Sequence, residues 1–444
     1  MSVGAQAQLA CRGLQDTYLM SPNDMTFWKT TYPRHTNFAV AEVEIPFNNT
    51  AGMGRQKIQA KISRSGDLLY SMYLYVELPQ VTYTDATSTG TILQLPGTTT
   101  PNWGCYVDAV GNALIQQITC NIGAHDMDDQ YGETQEIWEA VAAPSDRLLS
   151  EMTGRYDSVE ERIQAAMAPQ ILYVPTRFWF NRFTEQALPM VALYWHDVEI
   201  TLQTAPASAL TVTSATTSHI TMPTDVNEMH FLCNFVYLDR PERAAFANAK
   251  SEYIIDQWQF LGAEAVRAGT AQANHSIRYN HPCMEILWVC QRDAAVTPSS
   301  TTGDGGQFDW SGVPIYPQGQ TTLNVGRVSY DPFLTAQIFI NNHQRTIEHP
   351  AVYYRLVQAY QSHSRLPFDD RWVYSYAFGL KPEELLHNGS VNMSRMDNAQ
   401  LRVTYPPVVQ GALNQAWDGQ IRIYARNKNV MKVTVGMAGL KFAA

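Results

Sequence analysis

The chain has 444 residues, of which 45% are hydrophobic, 11% aromatic and 16% charged. This length suggests about two or three domains with a large buried core. The formal net charge is −10 (31 basic and 41 acidic side chains), and the sequence has no run of Lys or Arg, which argues against direct nucleic-acid binding. Low charge combined with many aromatic residues favours a protein that covers much of its surface with partners.

Neither a membrane span nor a secretory signal is visible in the sequence. No segment approaches the roughly 18 uninterrupted apolar residues of a spanning helix. The first residues, MSVGAQAQLACRG, lack the charged and apolar regions of a signal peptide. The six cysteines are dispersed and form no C-x-x-C motif, so we expect small apolar core side chains in a protein made in a reducing compartment.

Residues 1–25 are mostly polar and small and are expected to form an N-terminal arm. The arm is followed by MTFWKTTYPRHTNFA (Met25 to Ala39) and then by an imperfect apolar alternation that ends at Pro46. A proline within such a run favours an edge strand, because proline lacks the N–H group that a central strand uses. The first strand is therefore expected at the edge of its sheet.

The next elements are a turn and a long apolar strand. The sequence RSGD (residues 64–67) predicts a turn, since glycine accepts positive φ. The run LLYSMYLYVEL (Leu68 to Leu78) is almost wholly apolar, as expected for a strand that is covered on both faces. Thr82 to Trp103 is rich in Thr, Ser, Gly and Pro and predicts an exposed loop.

One sustained helical region is predicted, from Asp126 to Ala168. Its second helix is expected to begin near Ser145 or Asp146, because short polar side chains cap helix N-termini. Further strands are predicted at Ile171 to Phe180 and Val191 to Leu202.

A segment of low charge follows and divides the chain into two β-rich halves. Ala205 to Thr224, within residues 205–225, is rich in Ala and Thr and predicts a linker or a long surface loop. A second long loop is predicted at Val296 to Gly326. Irregularly spaced strands with long loops fit a jelly roll better than an immunoglobulin sandwich. The strands predicted for the second half are His230 to Leu238, Glu252 to Leu261, Met284 to Cys290, Ala336 to Ile340, Val352 to Gln358, Trp372 to Phe378, Val391 to Val403, Gln420 to Ala425 and Val430 to Met437.

The most distinctive tract is RWVYSYAFGLKPEELLHNGSVNMSRMDN (Arg371 to Asn398). It begins with the alternation of a strand that has one buried face, continues through a KPEE turn and restarts as a strand at Val391. Asn392 is one of four N-x-S/T sequons, the others being at Asn48, Asn274 and Asn388, and we expect it to satisfy a turn backbone.

No catalytic, cofactor-binding or metal-binding residue is predicted. The eleven histidines lie at unrelated spacings, without a His-x-His motif, so satisfied structural histidines are favoured over a metal site. Asp126, Asp128 and Asp129 lack the glycine and the bidentate glutamate of a calcium loop and are interpreted as a solvated helix start. Glu383 and Glu384 lie beside a turn, where charge is expected, and no G-x-S-x-G motif occurs.

Five separated passages, in order, resemble the major capsid proteins of nucleocytoplasmic large DNA viruses, in particular those of algal and amoebal viruses. The tract Arg371 to Asn398 (the signature tract) carries an FALKPE-like stretch, interrupted here by Gly379, and an N-x-S-R-x-D-N segment. The matching passages are Met25 to Ala39, Ile62 to Leu68, Asn280 to Gln291, the signature tract at Ala377 to Glu383 and Asn392 to Asn398, and Asn427 to Phe442.

The resemblance implies an all-β fold of two consecutive eight-stranded antiparallel jelly-roll barrels, with a short helical insertion in the first. The barrels are expected at residues 26–204 and 226–444, joined by the linker at 205–225. The family implies a homotrimer that forms a pseudo-hexagonal capsomer of an icosahedral shell. Its expected partners are neighbouring capsomers, minor capsid and penton proteins, and an inner membrane-associated layer. Assembly is expected in a viral factory in the host cytoplasm, with the arm facing inward and the two long loops outward.

Two other classes of protein are alternatives to this prediction. One is a carbohydrate-binding or receptor-attachment β-sandwich, which usually adds a stalk or an export signal. The other is a glycosidase-like jelly roll, which needs a pocket with convergent carboxylates. Neither feature is visible in the sequence, so a structural, non-enzymatic protein is predicted.

Overall fold

The computed structural model describes residues 13–15, 36–83, 103–123, 125–142, 150–156, 158–213, 220–296, 307–312, 331–367, 371–406 and 417–442. The predicted arm, apart from residues 13–15, and most of the two predicted outer loops lie outside these residues. Residues 39–444 form one compact unit, and residues 1–38 form another.

Strands dominate both halves of the chain. In the first half they are β1 Phe38–Ile45, β2 Ile58–Ile62, β3 Leu68–Leu78, β4 Thr82–Tyr83, β5 Gly104–Tyr106, β6 Ile115–Ile122, β7 His125–Gln130, β8 Gln170–Pro175, β9 Val198–Thr204, β10 Thr211–Thr213, β11 Ile220–Thr221 and β12 Glu228–Leu238. In the second half they are β13 Ser251–Val266, β14 Gln272–Ser276, β15 Pro282–Arg292, β16 Thr335–Ile340, β17 His343–Gln344, β18 His349–Pro350, β19 Tyr374–Ala377, β20 Val391–Asn392, β21 Ala399–Thr404, β22 Gly419–Thr434 and β23 Met437–Leu440.

The helices are short and lie between the strands. The α-helices are Val110–Leu114, Gly132–Ala142, Ser150–Thr153, Val159–Ala166, Ala207–Leu210, Arg240–Asn248, Asp293–Val296 and Gln358–Ser362. The last of these continues a π-helical turn at Tyr353–Val357. Short 3-10 segments are Trp179–Asn181, Thr184–Gln186, Met190–Ala192 and Met393–Arg395.

The two halves repeat one strand order. The first half has the sheets β1-β12-β3-β8 and β2-β9-β6-β7, and the second has β13-β22-β15-β19 and β14-β21-β16-β17 as main paths. If the eight main strands of each half are counted along the chain, both halves read 1-8-3-6 and 2-7-4-5. This is the order of a jelly roll. In the described residues the eight main strands of each half form two separate sheets rather than one closed barrel.

The first strand lies at the edge of its sheet, as predicted, since β1 pairs with β12 alone. The prediction for β3 was wrong in one respect. Its side chains alternate between buried and half-buried, so only one face is covered within the chain. The outward face carries Tyr73 and Tyr75, whose large apolar rings made the strand look two-sided in the sequence.

The pairing of the strands in residues 205–238 bears on where the two halves meet. Strand β12, predicted to open the second half, pairs with β3 along its length, from Glu228 opposite Glu77 to Val236 opposite Leu68. The segment interpreted as a linker contains the helix Ala207–Leu210 and strands β10 and β11, which pair with β5 and β4. An apolar alternation shows that a segment is a strand, but it does not identify the neighbouring strand.

Two other predictions of secondary structure were wrong. Val352 to Gln358 was predicted as a strand but is helical, with Tyr354, Gln358 and Ser362 buried at four-residue spacing. Asp126 to Gln130 was predicted to start a helix but forms strand β7, which pairs with β6. Such short runs contain too few residues to distinguish the 3.6-residue period of a helix from the two-residue period of a strand.

Candidate functional site

The signature tract forms a strand, a turn and a short return inside the second half. Strand β19 pairs with β15, with Tyr376 opposite Ile286 and Tyr374 opposite Trp288. Its residues are buried on both faces rather than on one, because the helical segment 353–362 covers the second face. The tract is therefore part of the core and not an open loop.

The turn of the tract is held by its own side chains. The Asn388 amide donates to the Lys381 carbonyl (2.6 Å), and the Lys381 N–H donates to the Asn388 side-chain oxygen (3.2 Å). Gly379, which interrupts the family pattern, lies against Gly389, where a Cβ on Gly379 would be 2.7 Å from the Gly389 carbonyl oxygen. Glycine fits this close approach because it has no Cβ.

The Asn-rich end of the tract also holds backbone. The Asn392 side chain accepts from the Ser394 N–H (3.1 Å), and the Ser394 hydroxyl accepts from the His281 N–H (2.8 Å). The Asn341 side chain accepts from the N–H groups of Asp397 and Asn398 at 3.1 and 3.3 Å. The prediction that Asn392 satisfies a turn backbone is confirmed.

A buried ionic cluster lies behind the KPEE turn. His363 Nε2 is 3.0 Å from Glu285 Oε2, and its Nδ1 is 3.1 Å from Glu383 Oε1. Arg426 Nε contacts the other oxygen of Glu285 at 2.9 Å. Burial by itself lowers the pKa of His363, but Glu285 and Glu383 outweigh this effect and raise that pKa to about 9. His363 is therefore a charged member of the core at neutral pH.

Arg371, the first residue of the tract, joins the two halves. Its Nε contacts Glu136 Oε1 at 2.9 Å, and its Nη2 contacts Asp108 Oδ2 at 2.5 Å. Arg155 also contacts Glu136 Oε1, at 3.1 Å. Burial would raise the pKa of Asp108, but Arg371 and its neighbouring cations lower it overall. Asp108 of the first half thus remains ionised against a cation of the second.

A second set of contacts joins the helix Gly132–Ala142 and its neighbours to strands β13 and β22. Trp138 packs edge-to-face on Trp258, with ring centroids 6.1 Å apart. Arg182 pairs with Asp256, whose other oxygen is 2.5 Å from Lys428 Nζ. Because these side chains are buried or, for Arg182, half-buried, and contact one another, they fix the two halves against each other.

The same contact region contains acids with raised pKa values. Burial raises the pKa of Asp128 to about 8, although the Trp258 N–H and the Gln130 amide oppose this effect by donating to the carboxyl group. Burial, with Glu136 nearby, raises the pKa of Glu139 to about 7. Asp128 is thus a buried strand residue, and its interpretation as part of a solvated helix start was wrong.

These pKa values predict that the protein loses stability as the pH rises through the neutral range. Asp128 binds a proton in the folded state between about pH 4 and 8, and His363 does so between about pH 6.5 and 9. Unfolding releases these protons, so the free energy of unfolding should fall by up to ~1.4 kcal/mol per pH unit for each group. Calorimetry from pH 6 to 9 should show a falling Tm, with a shallower slope for Asp128→Asn. The exposed neighbour Asp126 gives the control variant Asp126→Asn, and equal slopes in all three proteins would contradict the prediction.

The chemistry of this region is ion pairing and packing. Glu383 contacts His363 while Glu384 pairs with Lys381 at the surface, so the two adjacent acids form no catalytic pair. Across the described ranges, no group of three or more His, Cys, Asp or Glu side chains is placed to hold a metal ion. The half-buried cations Arg182 and Arg422 carry no signal in the sequence, because their partners Asp256 and Glu133 are far away along the chain.

The helices of the described part are too short or too polar to cross a membrane. The five described cysteines are buried and unbonded, as expected for core side chains. Burial raises the pKa of each of these thiols, for example that of Cys283 to about 12.

Comparison with known proteins places this fold among virus capsids. The sequence profile described as the N-terminus of major capsid proteins matches residues 26–239, and that of the large eukaryotic DNA virus major capsid protein matches residues 242–439. The major capsid protein of Paramecium bursaria Chlorella virus 1 is 31% identical, with 99% of each chain covered. That of Phaeocystis pouchetii virus is 29% identical, also with 99% of each chain covered.

Solved structures agree with the sequence comparisons. The crystal structure of PBCV-1 VP54, fitted into a reconstruction of the virophage Sputnik, has a TM-score of 0.75 and 26% identity, covering 94% of this chain and 100% of VP54. The Faustovirus major capsid protein has a TM-score of 0.72 at 11% identity, covering 97% of this chain and 96% of its own, which shows the shared fold.

The fold and these matches define a double jelly-roll capsid protein. The chain belongs to the major capsid proteins of large eukaryotic DNA viruses. It is a structural component of the virion and not an enzyme, as predicted from the sequence. The family membership favours this function over the attachment-protein and glycosidase alternatives.

Proposed function

We propose that three copies of the chain form a capsomer with a pseudo-hexagonal outline that tiles an icosahedral shell. The observation that carries this proposal is the repeated strand order, 1-8-3-6 and 2-7-4-5, in the two halves. Two equivalent jelly rolls in each of three copies supply six similar units around a threefold axis. Such a unit can tile a surface of hexagons although the oligomer is only threefold.

The jelly-roll domains are proposed to meet near residue 240. Strand β12 pairs inside the first half, and the two family profiles meet between residues 239 and 242. The helix Arg240–Asn248 would then connect the domains, in place of the expected linker at 205–225. The tight ionic contacts between the halves support one rigid building block rather than two hinged domains.

The partners of such a capsomer are proposed from its place in a shell. They are neighbouring capsomers, minor capsid and penton proteins, and an inner membrane-associated layer, with assembly in the host cytoplasm. Direct genome binding is not proposed, because the net charge of −10 disfavours a nucleic-acid surface.

Size measurement tests the proposal directly. Light scattering coupled to size exclusion should give a stable species near three times 49.9 kDa. Electron microscopy of that species should show a hexagonal outline with threefold features. A monomer that persists at high protein concentration would contradict the trimer.

A further inference from the structure

The two jelly rolls carry helical segments at equivalent places. In the first half, the helix Gly132–Ala142 lies between the fifth and sixth main strands, β7 and β8. In the second half, the helical segment 353–362 lies between the fifth and sixth main strands, β17 and β19. The repeated strand order therefore makes these segments structural counterparts, and their surroundings can be compared directly.

Within the chain, the first of these segments covers a sheet. Trp138 packs on Trp258, and Glu133 pairs with Arg422 at 2.7 Å, so the helix lies against the outward face of the sheet that contains β13 and β22. All eleven residues of the helix Gly132–Ala142 are buried as a result.

Among the described residues, the equivalent sheet face of the first half is covered only in part, and Met152 lines the edge of the exposed area. The outward face of β1-β12-β3-β8 carries Tyr75, which stacks on His230 (4.4 Å between ring centroids) and meets Tyr173 edge-on at 5.4 Å. Tyr173 is 40% exposed and Ile171 is 52% exposed. A cavity of about 500 Å³ opens on this face, lined by these tyrosines and by Glu42, Glu44 and Glu228.

The described residues cover the equivalent helical segment of the second half on one side only. Tyr354 and Ala359 are fully buried, whereas Val357 is 40% exposed and Tyr360 is 79% exposed. Apolar groups at these positions form an outward stripe, because residues three and four apart share one face of a helix. Arg345 lies beside this segment, lining a surface cavity with Gln358 and Gln361.

We propose that the segment 353–362 of a second copy of this chain covers the outward face of β1-β12-β3-β8, with Tyr360 directed into the cavity lined by Glu42, Glu44 and Tyr75. The contact between copies would then repeat the contact that joins the two halves inside each copy. An exposed helix face and an exposed sheet face on different parts of one chain make a head-to-tail interface, and such an interface closes into a ring of three copies when its rotation is threefold. This inference rests on the proposed trimer and names the surfaces that hold it.

The chemistry of the two surfaces is complementary. The sheet face carries the carboxylates of Glu42, Glu44 and Glu228 around aromatic rings, which suits a tyrosine whose ring stacks and whose hydroxyl donates to a carboxylate. Arg345 at the edge of the helical segment would add a cation to an acidic face. The apolar composition of β3, typical of a strand covered on both sides, is also explained if a second copy supplies the missing cover.

Replacing Tyr360 with glutamate tests the interface. The new carboxylate would meet the acids of the cavity, so Tyr360→Glu should shift the protein from trimer to monomer in light scattering, with association weakened by roughly tenfold or more. Leu386→Glu is the matched control, since Leu386 is 78% exposed in the same half. Circular dichroism confirms that both variants are folded. A Tyr360→Glu variant that remains as trimeric as the control would overturn the inference.

Cross-linking gives an independent test that does not depend on loss of assembly. The double variant Tyr360→Cys with Tyr173→Cys should form covalent dimers and trimers under oxidation, whereas each single variant should not. If the wild type is trimeric but the double variant yields no covalent oligomer, this interface is wrong while the trimer stands. If the wild type is itself monomeric, the proposed trimer fails first, so the two failures are distinguishable.

Discussion

The Arg371→Met variant is expected to unfold with a free energy about 3–5 kcal/mol lower than the wild type, because it breaks a buried ionic contact between the two halves. Methionine keeps much of the side-chain volume, so the loss is electrostatic rather than a cavity. It leaves Asp108 and Glu136 with one cation fewer, at positions where Arg371 now lies 2.5 and 2.9 Å from them. Urea unfolding monitored by tryptophan fluorescence measures the difference.

Lys381→Met is the matched control for this prediction. Lys381 lies in the same signature tract, but its side chain is 66% exposed and pairs with Glu384 at the surface. Exposed pairs contribute about 0–1 kcal/mol, so this variant should unfold nearly as the wild type does. Arg371 helps to lower the pKa of Asp108, so the deficit of Arg371→Met should shrink in acid, where the Asp108 carboxylate takes up a proton. A loss no larger than that of the control would show that the buried contact stabilises nothing.

The Trp258→Ala variant is expected to lose about 3–5 kcal/mol, because a large aromatic side chain is removed from a packed contact. Trp258 is 7% exposed and faces Trp138 across the junction between the halves. Its backbone N–H still donates to Asp128 after the substitution, so the loss reports packing alone. Calorimetry should show a lower Tm, and the transition should broaden as the halves begin to unfold separately.

Trp195→Ala provides the comparison for this second prediction. Trp195 is 71% exposed, so removing its side chain should change the free energy of unfolding by at most about 1 kcal/mol. If the two tryptophan variants were equally stable, the junction would not be a rigid, packed contact. The proposal of a single building block would then lose its support.

Much of the strand content was predictable, because each long strand carries its own alternation of side chains. The sequences of β3, β15 and β22 predict strands without any information on the neighbouring strands. The edge position of β1 follows from Pro46. The polar end of the signature tract was also interpreted correctly, since Asn392 accepts a hydrogen bond from a residue two positions away. Interactions between residues that are close along the chain can therefore be predicted from the sequence.

Other features could not be predicted from the same residues. The helical segment at Val352 to Gln358 looks like a strand in the sequence. Its five apolar and aromatic residues fit both the two-residue period of a strand and the 3.6-residue period of a helix. Asp128 looks like a surface acid, and only its position against Trp258 shows that it is buried. The cation that faces Glu133 is Arg422, which lies 289 residues away along the chain.

The sequence by itself determined that the chain is a β-rich protein, where most of its strands lie, and the capsid family that its five passages resemble. The tertiary structure alone decided that β12 pairs with β3, that ion pairs join the two halves, and that the described residues leave one aromatic sheet face partly exposed. The physical reason is the range of the interactions. Side-chain alternation within a strand is a local property of the backbone, whereas strand pairing and ion pairing join residues that only the folded chain brings together.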